Sequence, residues 1–240
     1  MQTQSFSGKS EQYEIGRPEI CLDALEYLLS IIPPDAVIAE IGAGTGKFTS
    51  LIAKRGYSIY AVEPNDEMRD VLSNKLCNFP NVAILNTCAE STSIPCRSVD
   101  VVVAVTALHW FDLDAFKIEC LRILKPGGIV IAIYNSRKSE LLKVANDPMA
   151  KMETKEFFKG KCDIVEFPNT MYYTIDKFIA YHLSHSSAPR PGDHDYIDVI
   201  NNLYSKFNKH SINSKYLFDF VTIMYISKEF TTQYSFTDTD

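Results

Sequence analysis

An α/β fold with a doubly wound, mostly parallel sheet of seven strands follows from three features of this 240-residue sequence. Apolar runs alternate with helix-period stretches over roughly the first 135 residues, which is how a parallel sheet covered by helices is written. One run, Val99 to Val105, is nearly all Val, as a strand buried on both faces should be. A glycine-rich turn links the first apolar run to a helical stretch.

After a polar arm to about Ser10, Pro18 is expected to open a helix whose stripe is Ile20, Ala24, Leu25, Leu28, Leu29 and Ile32, with Pro33 and Pro34 ending it. Val37 to Ile41 reads as the first strand, the stretch from about Gly46 to Arg55 as a helix, and Ser58 to Val62 as the second strand. Asn65 can cap a helix with Asp66 and Glu67 in its positive first turn and Met68, Val71, Leu72 and Leu76 inward. Val82 to Leu85 and Val99 to Val105 are the next strands. Asp112 caps a helix that buries Leu113, Phe116, Cys120, Ile123 and Leu124, and Pro126, Gly127 and Gly128 make a turn into the strand Ile129 to Tyr134. Short charged helices are expected to about Lys161, an extended run from Ile164 to Tyr173, helices over Ile175 to His185 and Asp195 to Asn208, and a last strand Phe218 to Ile226.

Composition narrows the function classes. The chain carries 24 Lys and Arg against 30 Asp and Glu, a net charge of −6, which argues against a nucleic-acid partner. A chain of this length buries roughly 70 to 75% of its unfolded surface, so one domain over residues 1–240 is expected. MQTQSFSGKS lacks an apolar signal region and the apolar runs are too short to cross a bilayer, so neither secretion nor a membrane partner is expected. The six cysteines form no Cys-x-x-Cys pair and often sit in apolar stretches, which fits reduced packing residues in a cytoplasmic setting.

The richest segment is Glu40-Ile41-Gly42-Ala43-Gly44-Thr45-Gly46-Lys47-Phe48, between the first strand and a helix. Glycines there let backbone N–H groups approach a ligand, and the helix end favours its negative group. A phosphate-binding P-loop fails, because Ile41 stands where Gly is needed and Phe48 where Ser or Thr is. The dinucleotide fingerprint fails because Lys47 takes its third Gly position. An acidic-x-G-x-G-x-G pattern remains, and Glu63 ends the second strand 17 residues after Gly46, where a carboxylate can accept both hydroxyls of a ribose. Ligands of such sheets bind beyond the carboxyl ends of the strands, here near Glu40, Glu63, Ala89 and Thr106.

On these residues the chain resembles the class I S-adenosylmethionine-dependent methyltransferases, and more closely their type 11 small-molecule group, which includes trans-aconitate methyltransferase-like proteins. The matching stretches are Tyr13 with Gly16-Arg17-Pro18, AEIGAGTGKFT (Ala39 to Thr49), AVEPNDEM (Ala61 to Met68), TCAESTSIP (Thr87 to Pro95), SVDVVVAVTALHWFD (Ser98 to Asp112) and ILKPGGIVIAIYNSR (Ile123 to Arg137), with a weaker echo at FIAYHLSHSS (Phe178 to Ser187). The resemblance implies a Rossmann-like methyltransferase fold with a helical cap insertion, an N-terminal lid arm over residues 1–18, a partial cap over 136–216, and S-adenosyl-L-methionine as cofactor. It implies that Gly42, Ala43, Gly44 and Gly46 line the methionine part, that Glu40 shapes the loop or meets the ammonium, and that Glu63 holds the ribose. Pro64, Asn65 and Met68 would flank the adenine, Ala89 and Glu90 face it, and Thr106 and Ala107 border the sulfur. Cys88 departs from the Asp or Thr frequent at its position and is left outside the set, and Tyr134 stands where close relatives often have Trp.

The implied reaction is an in-line displacement by a small-molecule acceptor, at oxygen, nitrogen or a carboxylate. A carboxylate needs no base; for a hydroxyl or protonated amine, His109 beside Trp110 is the best-placed base, and a structural hydrogen bond at the helix entry is its alternative role. Trp110 is an acceptor-pocket wall or core packing. His182 and His185 share a stripe with Ile175, Phe178 and Ile179 and face inward, toward an acidic acceptor; spacing gives them no third ligand for a metal. Tyr13 and Arg17 fall in the arm, where Arg17 pairs a ligand carboxylate or forms a surface salt bridge. Monomer and homodimer both remain open, and a catalytically silent regulatory protein that keeps the nucleoside pocket is the alternative function.

Overall fold

The computed structural model describes residues 6–138, 154–228 and 230. Seven strands form one sheet in the order β3-β2-β1-β4-β5-β7-β6. β1 (Val37–Ile41), β2 (Ser58–Val62), β3 (Val82–Leu85), β4 (Val99–Val105) and β5 (Leu124–Arg137) run parallel. β7 (Tyr216–Ser227) lies antiparallel between β5 and β6 (Asp163–Tyr173). β1 has β2 on one side and β4 on the other, so the strand order reverses there and the loops leaving β1 and β4 part to open a crevice.

Alternation along the strands explains the layering. Ile38, Val101 and Val103 face α2 (Leu22–Ile31), α3 (Lys47–Ala53) and α4 (Asp66–Leu76), where Leu25, Leu28, Ile52, Leu72 and Leu76 are buried. Their neighbours Ala39, Val102 and Ala104 face the opposite layer, which holds Phe116, Cys120 and Ile123 of α5 (Leu113–Ile123) together with Phe157, Phe158 and Phe230. Because both faces are covered, successive residues are apolar, and the strands read as continuous runs. Each fully buried Val or Ile contributes about 1.5–3 kcal/mol relative to exposure. The expected caps form: Asn65 Oδ1 accepts from Met68 N, and Asp112 Oδ1 from Ala115 N.

Several expectations change. The helix expected from Pro18 starts at Leu22, because the carbonyls of Pro18 and Glu19 accept side-chain hydrogen bonds from Asn135 and Asn169 instead of helical N–H groups. Pro126 to Gly128 is a bulge inside a longer β5: Val99 pairs with Leu124 and Val101 with Ile129, and Gly127 takes a φ of +77°. Residues 136–216, expected as a cap, include β6, the outer strand of the sheet. Pro168 is tolerated there because β6 has a partner on one side only. α6 (Ile175–Leu183) and α7 (Tyr196–His210) pack Phe178, Tyr181, Leu203 and Phe207 against Tyr173, Phe218 and Phe220. The charged stretch expected as short helices falls largely on residues 139–153, outside the described residues; residues 154–157 are helical. Of the cysteines, Cys120 is buried, Cys21 and Cys162 are half-buried, and Cys77, Cys88 and Cys96 are exposed, so a packing role holds for only part of the set.

The arm contains a helix that its polar sequence hid, α1 (Ser10–Gly16). It lies flush on α6, and a Cβ at Gly16 would stand 2.2 Å from the backbone N of Tyr181. Tyr173 Oη donates to the Gly16 carbonyl at 2.9 Å, and the buried Lys9 ammonium donates to the carbonyls of His185 and Ala188, both at 2.6 Å. Gly16→Ala is therefore expected to lower stability by ~1–3 kcal/mol, as an overpacked contact that the backbone cannot relieve, read from the midpoint of urea unfolding.

Candidate active site

The crevice is built from the exits of β1, β2, β3 and β4. The chain leaving β1 turns through Gly42, Gly44 and Gly46 at φ values of +76°, +58° and +76°, which L side chains rarely adopt. Gly42 N and Ala43 N donate to the Val62 carbonyl at 2.9 and 3.0 Å, hooking the loop onto the end of β2. One residue on, Glu63 fastens it: Gly44 N donates to one carboxylate oxygen and Asn65 N to the other, each at 2.8 Å. Across the crevice Thr106 ends β4 with a φ of +54°, an uncommon strain for a β-branched residue, held by a 2.7 Å bond from its N–H to the Ile133 carbonyl.

A cavity of about 530 Å³ lies over these turns. Of the residues expected at the cofactor, Gly42, Gly44, Glu63, Pro64, Asn65, Met68, Ala89, Glu90, Thr106 and Ala107 line it, together with Tyr13, His109 and Trp110. Phe6, Cys88, Phe111 and Asp112 line it as well and were not in the expected set. A smaller space of about 50 Å³ adjoins it across Tyr13, Gly42, Val105 and Thr106, and Arg17, Glu40, Ala43, Lys47 and Asn135 border that space.

Four expected residues lie outside both. Gly46 is needed for packing: a Cβ there would meet Leu72 Cδ1 at 2.4 Å, so the glycine lets α3 start against α4. Tyr134 sits behind His109, at 6.2 Å between ring centroids, and its hydroxyl accepts from Thr154. His182 turns along its own helix, with Nδ1 2.9 Å from the Phe178 carbonyl and its ring against Phe178. His185 does likewise, with Nδ1 3.2 Å from the His182 carbonyl. His182 meets Phe218 of β7 rather than the crevice, and His185, just beyond the end of α6, stands edge-on to Tyr181.

The electrostatics are those of a dry site. Burial pushes the Glu40 carboxyl up to about 8, although the Thr49 hydroxyl donates to it. Burial also raises Glu63, against the pull of its two N–H donors. His109 is pushed down to about 4 by burial and then by the Arg17 charge, and its Nδ1 is buried without a hydrogen-bond partner among the described residues. Among the described residues Arg17 forms no salt bridge: its guanidinium lies over the rings of Tyr13 and Tyr181 and donates to the Ser184 carbonyl at 3.4 Å, and its Nε is buried without a partner there. Beneath the loop of Ala89 and Glu90, the buried Glu119 accepts from Thr92 N at 2.7 Å and pairs with Arg122, a brace for which the sequence carried no motif.

Residues 39–132 match a family profile described as a methyltransferase domain. An uncharacterized methyltransferase of Mycobacterium tuberculosis is 38% identical over 139 residues, 57% of this chain and 54% of that protein, so the chain spans about half the length of the first curated relatives it matches. One from Alkaliphilus oremlandii is 30% identical over 189 residues, 71% of this chain and 81% of that protein. The chain belongs to the class I S-adenosylmethionine-dependent methyltransferases. The methyltransferase fold is shared with a type II methyltransferase of Anaeromyxobacter dehalogenans, at a TM-score of 0.58 and 21% identity over 88% of this chain and 97% of that one. It is shared also with a Haemonchus contortus N-methyltransferase solved with phosphomonomethylethanolamine and S-adenosylhomocysteine, at a TM-score of 0.56 and 16% identity over 94% and 58%.

The Glu40 carboxyl makes stability pH-dependent with a defined sign. A carboxyl raised from 4.5 to about 8 holds its proton longer in the folded chain, so its contribution falls as pH rises through that window. In urea unfolding, Glu40→Gln should gain on the wild type by ~2–4 kcal/mol between pH 5 and pH 9. A difference that stays constant with pH would show that this carboxyl is not raised.

Proposed function

We propose that this methyltransferase transfers the methyl group of S-adenosylmethionine to a small-molecule acceptor, with the nucleoside in the large cavity and the amino-acid head in the small one. The observation that carries the reading is the Glu63 carboxylate at the end of β2, held in place by Gly44 N and Asn65 N on the cavity wall. A carboxylate offers about four acceptor positions, and two remain for the hydroxyls of a ribose. Met68 and Ala89 supply apolar surface for a purine. Around the small space, Glu40 suits an ammonium, and Arg17 and Lys47 suit a carboxylate.

When bound, the sulfonium supplies an already activated methyl group, and the chain's own residues align and desolvate. Such positioning is worth up to roughly 7–11 kcal/mol. His109 takes no base role in this reading. A base working near pH 7 needs a matching pKa, and a ring pushed down to about 4 serves as a neutral wall. Among the described residues no helix is long and apolar enough to cross a membrane. The six free thiols support a reducing, cytoplasmic setting, and the net charge of −6 supports partners other than nucleic acid.

Calorimetry of ligand-free protein with S-adenosylmethionine should give saturable binding, with no heat from NADH. Glu63→Ala should weaken it by ~1.5–3 kcal/mol, or roughly 10- to 150-fold. No binding to folded wild type would remove the methyltransferase reading. An ammonium placed against Glu40 should also drive off its proton, so binding at pH 7 should release close to one proton, measured in two buffers of different ionisation enthalpy. In Glu40→Gln that release should disappear.

A further inference from the structure

The part of the large cavity that a nucleoside along Glu63, Met68 and Ala89 would leave over is walled by rings. Phe6 stands edge-on to Trp110 and to Tyr13, with centroids 5.4 and 5.8 Å apart, and all three line the cavity. His109 closes the wall with its ring 5.0 Å from that of Trp110. Among the described residues no Lys or Arg lines this cavity; Arg17 and Lys47 border the small space instead, with Glu40. The charged side chains that do line it beyond the ribose site are acidic, Glu90 and Asp112.

These walls select among acceptors. An anion would give up its water for ring faces and carboxylates, with no Lys or Arg lining the cavity among the described residues to receive it. A hydroxyl or an ammonium must lose a proton to become a nucleophile, and the imidazole at hand is buried, without a partner at Nδ1 among the described residues, and held neutral. A heterocycle with a free ring lone pair has neither difficulty, and its flat body suits ring walls.

We propose that this end of the cavity takes a neutral, planar heteroaromatic amine and that the ring nitrogen is the atom methylated, an inference that rests on the cofactor reading above. The lone pair of the ring nitrogen forms the new bond to the methyl carbon as the carbon–sulfur bond breaks, its electron pair going to sulfur. No proton moves, and the positive charge passes from sulfur to the ring, where the faces of Trp110, Tyr13 and Phe6 favour a cation.

Trp110 is the only Trp in the chain, so its fluorescence reports on this wall directly. Protein saturated with S-adenosylhomocysteine is titrated with quinoline, nicotinamide, phenol, benzoate and trans-aconitate, and the same five are offered as acceptors with labelled S-adenosylmethionine, the products being weighed by mass spectrometry. The expected result is a saturable fluorescence change with at least one of the two heterocycles, an N-methylated cation as its product, and neither signal from benzoate or trans-aconitate. Phe6→Leu, on the arm and outside the core, should weaken heterocycle binding ~3- to 10-fold while S-adenosylhomocysteine affinity stays within about 2-fold. Methylation of phenol, benzoate or trans-aconitate in preference to the heterocycles would overturn the proposal, as would cofactor binding with no response to either heterocycle. Failure to bind S-adenosylhomocysteine would instead remove the cofactor reading on which it stands.

Discussion

One carboxylate joins the two halves of the site. Glu63 takes a backbone N–H from the glycine loop through one oxygen and a backbone N–H from the start of α4 through the other. Glycines that supply left-handed turns also lose the most conformational freedom on folding, so a loop containing three of them needs an external tether. Glu63 provides it from the neighbouring strand. The same tether orients Asn65, whose side chain caps α4, and α4 in turn presents Met68 to the cavity. Loop, cap and cavity floor thus depend on a single side chain, which itself lines the cavity.

The second constraint is closure. The arm reaches over the cavity and is fastened on both sides: Gly16 packs on α6 and Lys9 bonds the carbonyls of His185 and Ala188 beyond its end, while Ser7 bonds Asn65 and Glu14 pairs with Lys75 on α4. Tyr13 is thereby set above Gly44, with its ring 3.7 Å from where a Cβ would stand. Phe6 is carried to Trp110. The polar arm thus becomes a wall of the site and excludes water from it, which strengthens electrostatic interactions inside.

Much of this was legible in the residues. Strands that are buried on both faces announce themselves as apolar runs, and the spacing of Gly42, Gly44, Gly46 and Glu63 excluded two rival nucleotide loops before any coordinates. Asn65 and Asp112 cap as their side-chain chemistry predicts. What was hidden is what depends on distant contacts. α1 has a polar sequence and is held by α6, whereas the extended run from Ile164 to Tyr173 was legible and forms the edge strand β6. Gly46 looked like a ligand-facing glycine, yet Leu72 from another helix decides its role. His182 shares the stripe of Phe178 and meets Phe218, but periodicity says nothing about which inner surface a helix meets, and His185 falls beyond the helix end. Cys88, set aside for its residue type, lines the cavity.

The most direct measurement is a crystal structure of this protein with S-adenosylhomocysteine. Both ribose hydroxyls are expected on Glu63 while its bonds from Gly44 and Asn65 persist, with the amino-acid head between Glu40 and Arg17. A nucleoside bound elsewhere, or one that leaves Glu63 without a contact to the ribose, would contradict it.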